Sequence, residues 1–120
     1  MAKLIDANVM LRFLLNDDKA MADKAATIIS EGAFTKEAVI AEVLYVLKNV
    51  YKMERKAISD LLSSLLEIVQ IENRDVVLFA LRLYEQRSFD FVDCLLIGYN
   101  AVQNIDVFSF DKKLNKLLNK

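Results

Sequence analysis

With 120 residues, of which 55% are hydrophobic, the chain is long enough to bury roughly two-thirds of the surface it would expose unfolded, which excludes disorder and argues for one domain, residues 1–120. Net charge is −1 and the isoelectric point about 5.5, so there is no global basic footprint, and any contact with RNA or DNA must come from a local patch or through bound metal. Histidine is absent, which excludes Ser-His and Cys-His nucleophile pairs and a His-ligated zinc site.

In chain order, residues 3–6 read as a short strand and 9–15 as a short helix. Asp17 or Asp18 caps a helix over 19–31, which Gly32 stops. Residues 33–35 form a very short strand, and the Thr35-Lys-Glu-Ala segment opens a long helix running to about Lys52. A helix over 54–67 and a β-branched strand over 68–71 follow. Asn73 then caps a helix to Arg87, the next helix spans 91–104, a strand spans 107–109, and a helix over 112–118 closes the chain. Four strands and seven helices in this order predict an α/β fold with a short, mainly parallel sheet. With no proline, and glycine only at Gly32 and Gly98, long irregular loops are not expected. The N-terminus lacks a secretory profile and charges such as Arg82 and Asp93 interrupt the richest apolar stretches, so neither export nor a membrane span is expected. A lone Cys94 among Val92, Leu95, Leu96 and Ile97 reads as a small core residue and suits a reducing cytoplasm.

Four acids lie in or beside apolar runs: Asp6 in LIDANVMLRFLL, Glu42 in AVIAEVLYVL, Asp93 in FDFVDCLLIG and Asp111 in VFSFDKKL. A carboxylate in such surroundings is costly unless something positive meets it. Capping explains each aspartate taken singly. Asp6 and Asn8 stand before the helix beginning near Val9, Asp90 and Asp93 have cap-and-N3 spacing, and Asp111 precedes the last helix. Glu42 resists that explanation, because Val39, Val43 and Val46 place it on the apolar stripe of its helix, and Lys36 and Lys48 miss the pairing spacing; a buried salt bridge to a distant lysine or arginine is the reading that competes with a metal site. In open parallel sheets, sites form beyond the carboxyl ends of the strands, where Asp6 and Asp111 are expected. Brought together, such carboxylates repel one another unless a divalent cation neutralises them. All-oxygen ligation suits Mg²⁺ or Mn²⁺, and the matching chemistry is metal-assisted attack on a phosphodiester.

These segments resemble a known pattern. LIDANVMLRFLLNDD is similar to the opening of PIN-domain ribonucleases, a hydrophobic strand ending in Asp-Thr-Asn or Asp-Ser-Asn. AEVLYVL resembles the helix bearing the family's acidic residue, FDFVDCLLIGYNA the segment carrying its third acid, and VFSFDKKL its closing strand and Asp. The closest likeness is to VapC-type toxins of prokaryotic toxin–antitoxin pairs. The resemblance implies a PIN-like fold with Asp6, Glu42, Asp93 and Asp111 as metal-binding catalytic acids. It makes Asp90 an auxiliary acid at the pocket edge, and Asn8 and Ser109 polar neighbours orienting the acids or bound water. It implies Mg²⁺- or Mn²⁺-dependent endonucleolytic cleavage of RNA, inhibition by an antitoxin, and homodimers. Three departures stand out: Ala7 replaces the usual hydroxyl residue, Ser109 stands where threonine is commoner, and the chain ends at Lys120, where a final edge strand is usual.

Lys112, Lys113, Lys116 and Lys120 form the most basic stretch, and with Arg12 or Arg87 they are candidates for holding RNA phosphates; a solvated helix face is the competing reading. Leu44, Tyr45, Leu47 and Tyr51 give the Glu42 helix a second apolar side, either core or a surface for a second copy or an antitoxin helix. Two other functions compete: a non-catalytic RNA- or protein-binding module of the same fold, and a phosphoacceptor signalling domain. The latter needs adjacent acids after the first strand, and Asp6 stands alone.

Overall fold

Short β-prone stretches separated by pairs of helices pair only in parallel, because each link is long enough to return the chain to the same end of the sheet. A computed structural model describes residues 1–119 and bears this out. The chain divides into two compact units, Met1–Glu72 and Asn73–Lys120.

The first unit runs β1 (Lys3–Leu4), α1 (Ala7–Leu15), α2 (Lys19–Ser30), β2 (Ala33–Thr35), α3 (Glu37–Asn49), α4 (Arg55–Leu65) and β3 (Gln70–Ile71). The sheet order is β1-β2-β3, with both pairings parallel. Lys3 stands opposite Ala33, and Thr35 opposite Ile71. Asp18 caps α2 by accepting from the Met21 N–H at 3.1 Å, while Asp17 pairs with Arg12. Gly32, at φ 113, makes the left-handed turn that ends α2 and aims the chain into β2. Met10, Ile40, Val43, Leu47, Ile58 and Leu62 are wholly enclosed and form the core of this unit.

The second unit is helical: α5 (Arg74–Gln86), α6 (Phe91–Gln103) and the short α7 (Lys112–Asn115). Asn73 sits at the head of α5 as predicted, but in a left-handed conformation at φ 55. Its amide does not cap α5. It donates to the Tyr99 hydroxyl and accepts from the Gln103 amide, clipping the start of α5 to α6. Gly98 lets the two helices approach closely, since a Cβ there would lie 3.2 Å from both Cγ1 and the carbonyl oxygen of Val76. Beneath α7, Ile97, Leu114 and Leu118 form a small buried cluster, with Leu83, Phe89 and Val107 packed against it.

Three predicted strands change. The first, expected over 3–6, is only Lys3–Leu4. Residues 68 and 69 do not join β3 and belong to the turn leaving α4, because their N–H groups bond the Leu65 carbonyl instead of a neighbouring strand. The predicted fourth strand, 107–109, is not one: among the described residues the sheet has three strands. The segment keeps a strand's alternation, Val107 and Ser109 half-buried with Phe108 exposed between them, but the carbonyl oxygen of Ser109 accepts from the Asn115 amide and not from a ladder. Lys120, the last of the basic run, lies outside the described residues.

Candidate active site

In the first unit, Asp6 stands one residue beyond β1, after Ile5, and is the N-cap of α1, its Oδ1 accepting from the Val9 N–H at 3.0 Å. One carboxylate oxygen is thus fixed by the helix end, and the other has no partner among the described residues. Ala7, where a hydroxyl residue is usual in the resembling family, is buried. Asn8 is exposed and, with Arg12, lines an apolar groove of about 350 Å³ between α1 and α2 whose other walls include Val9, Met21, Ala25 and Ile28. Arg12 spends Nη1 on Asp17 at 3.0 Å, and its Nε is buried without a partner among the described residues. One buried hydroxyl that sequence reasoning did not single out, Thr35 Oγ1, also lacks a partner; it lies at the carboxyl end of the middle strand.

Glu42 is the main correction. It was expected on the apolar stripe of its helix, but it is exposed. The buried stripe of α3 is Ile40, Val43, Leu44 and Leu47, and Val39 and Val46 are only half-buried flanks. Glu42, two residues from both Ile40 and Leu44, therefore points away from the stripe. Its carboxylate stays hydrated, so burial does not force a partner on it. The same geometry divides the second apolar side of that helix: Leu44 and Leu47 are core, while Tyr45 and Tyr51 lie at the surface.

In the second unit, Asp90 is the residue before α6 and Asp93 is in its first turn, but Asp90 makes no side-chain cap bond. Asp93 is half-buried, and its carboxyl is held above the ordinary carboxylate range, first by desolvation and then by the negative charges of Asp90 and Asp111. These three carboxylates therefore share one electronegative region. Asp111 is fixed by its neighbours. Its Oδ1 accepts from the N–H groups of Lys113 (2.9 Å) and Leu114 (3.1 Å), and its own N–H donates to Ser109 Oγ at 3.0 Å. The buried Asn100, also missed by the sequence reading, ties two backbone stretches together: its amide donates to the carbonyls of Ile105 and Asn119, and its oxygen accepts from the Asn119 N–H. The only signal for it was an amide inside the apolar run LLIGYNAV. Lys112, Lys113 and Arg87 are exposed.

None of Asp6, Glu42, Asp90, Asp93 and Asp111 forms an ion pair with a described lysine or arginine. Among the described residues, no three His, Cys, Asp or Glu side chains already stand in a metal-holding arrangement. The donor chemistry is nonetheless that of a hard cation: carboxylate oxygens only, one of them half-buried and destabilised by its like-charged neighbours.

A sequence model of the PIN domain matches residues 3–118, running through both units. The chain belongs to the PIN-domain family. It is similar to the VapC ribonuclease of Aquifex aeolicus (strain VF5), at 32% identity over 127 residues that cover 96% of this chain and 91% of that one.

Proposed function

We propose that the chain is an endoribonuclease that hydrolyses RNA phosphodiesters with the help of Mg²⁺ or Mn²⁺, and that it is the toxin of a toxin–antitoxin pair. The observation that carries the reading is family membership along nearly the whole chain together with likeness to a VapC ribonuclease. Asp6, Glu42, Asp93 and Asp111 are the proposed metal-binding acids, Asp90 an auxiliary one. A divalent ion bound to them would supply a water of lowered pKa and neutralise charge on a phosphoryl oxygen.

The protein's own part in this is placement. Asp6 and Asp111 each commit one oxygen to a helix end, which restrains the carboxylate and leaves its second oxygen without a partner among the described residues. Ser109 holds the backbone of Asp111 and so fixes where that second oxygen points. Asp93 gains most from a cation, because the charge it lacks is the one that would offset desolvation and the repulsion of Asp90 and Asp111. Glu42, exposed and without a cationic partner, is free to take up a metal or to receive a proton from water. Lys112 and Lys113 are the proposed phosphate contacts. Arg12 fits that role less well because Asp17 already holds its guanidinium. A protein antitoxin and a second copy of the chain are the proposed partners.

The deciding experiment incubates the purified protein with structured and unstructured RNAs, with and without Mg²⁺ or Mn²⁺, beside Glu42→Gln. Divalent-dependent cleavage that Glu42→Gln reduces by at least 10²-fold is the expected result. RNA binding with no divalent-dependent cleavage, and no loss on Asp6→Asn, would instead make the chain a non-catalytic binding module.

A further inference from the structure

The extended segment before Asp111 puts Val107 and Ser109 on its inner face and Phe108 and Phe110 on its outer one. Phe108 is 81% exposed and Phe110 90%. Their rings meet edge to face, with centroids 5.0 Å apart and planes at 81°. In such a pair, the ring presenting its edge keeps both faces open and the other keeps one. The segment is pinned on both sides of Phe108. The Ile105 carbonyl is held by the Asn100 amide and the Ser109 carbonyl by the Asn115 amide, while Val107 packs on the Ile97–Leu114–Leu118 cluster. The exposed Lys112 and Lys113 follow just beyond Asp111. Open aromatic faces on a backbone held on both sides, near cations, are the components of a surface that stacks nucleobases while the lysines meet the phosphates.

We propose that Phe108 and Phe110 form a base-stacking platform that positions an unpaired nucleotide of the RNA beside Asp111. The two rings are positioning residues, acting on the base and not on the phosphate. This rests on the ribonuclease reading above, deepening it by naming what seats the substrate. The neighbouring charge favours a nucleotide over a protein partner, because an apolar protein face would have to cover Lys112 and Lys113 as well.

The test measures affinity in EDTA, which prevents metal-dependent cleavage, for a labelled single-stranded RNA and for the same strand made abasic. The proteins compared are the parent, Phe108→Leu/Phe110→Leu, and Phe108→Tyr/Phe110→Tyr. Leucine keeps the apolar bulk but has no π-face, whereas tyrosine restores one. The expected result is a preference of the parent for the base-bearing strand by about tenfold or more. That preference should collapse in the leucine pair, return in the tyrosine pair, and leave affinity for the abasic strand unchanged throughout. An equal preference in the parent and the leucine pair overturns the platform. So does sedimentation showing self-association that the leucine pair alone abolishes while RNA binding is unmoved. Cleavage of the same strand in Mg²⁺ or Mn²⁺ separates the two readings. A stacking preference without cleavage sinks the nuclease and leaves the platform standing. Cleavage with a KM unchanged in the leucine pair does the reverse.

Discussion

Asp93, as a proposed metal ligand, would carry opposite consequences for folding and for function. Its pKa is raised in the folded protein, so the native state holds that proton more tightly than the unfolded chain does. The associated stability is therefore fully present below the ordinary carboxylate pKa and is lost as pH rises through the raised one. At neutral pH the ionised side chain is a small liability. Asp93→Asn should then give a slightly higher Tm at pH 7 in EDTA and flatten the acid side of the stability-against-pH curve; a lower Tm at pH 7 would contradict this. With Mg²⁺ or Mn²⁺ added, the order should reverse, because a ligand that binds only the native state stabilises it by about 2.7 kcal/mol at one hundred times its Kd. The parent should gain Tm and Asp93→Asn should not. A second residue, Asn100, is 3% exposed and spends its amide on three hydrogen bonds. Asn100→Ala strands two carbonyls and one N–H, and the expected loss is about 2–3 kcal/mol in a urea titration. A loss under about 0.5 kcal/mol would mean that water replaces the amide there.

Among the elements, α5 and α6 depend on a single missing side chain. Adding a methyl group at Gly98 gains up to about 1 kcal/mol of helix propensity. It also forces contact at 3.2 Å with the Val76 carbonyl, a backbone atom that cannot rotate away. Overpacking of this kind costs about 1–3 kcal/mol, so Gly98→Ala should lower stability by roughly 1 kcal/mol and Gly98→Val by more. Thermal melts of the two variants check the order. This scale also shows what the sequence made legible. The strand over 33–35 and the helix starts at Lys19 and Lys112 lie where they were expected, because caps and turn residues act locally: Asp18, Gly32 and Asp111 decide those boundaries within a few residues. Two things were not legible. The side of α3 that Glu42 faces depends on which of two overlapping apolar stripes finds a core, and tertiary packing chose Ile40, Val43, Leu44 and Leu47. Whether 107–109 forms a strand depends on a ladder partner that alternation cannot supply. The proposed acids can be picked out by type and order, while the hold of Ser109 on the Asp111 backbone, and of Asn100 on the backbone of Ile105 and Asn119, depends on hydrogen bonds that no local pattern announces.

For the molecule as a whole, charge bears on how the proposed RNA substrate would be held. A net charge of −1 gives no long-range field to attract a polyanion, and the neighbouring carboxylates Asp90, Asp93 and Asp111 would repel it. On the ribonuclease reading, binding at physiological salt would then have to come from a few local cations, from the proposed stacking of bases on aromatic rings, and from metal ions that offset the acidic charge. These sources respond differently to salt. Each phosphate neutralised by a lysine contributes about −0.7 to the slope of log affinity against log salt for a single strand, whereas stacking contributes almost nothing. Replacing Lys112 and Lys113 together with alanine should therefore make that slope shallower by about 1.4 and weaken binding by a similar factor for every RNA sequence. The measurement is a titration of labelled single-stranded RNA in EDTA between 50 and 200 mM salt, the range over which such contacts have their largest effect. An unchanged slope would return the two lysines to the role of a solvated helix face and leave the phosphates to be held by metal alone.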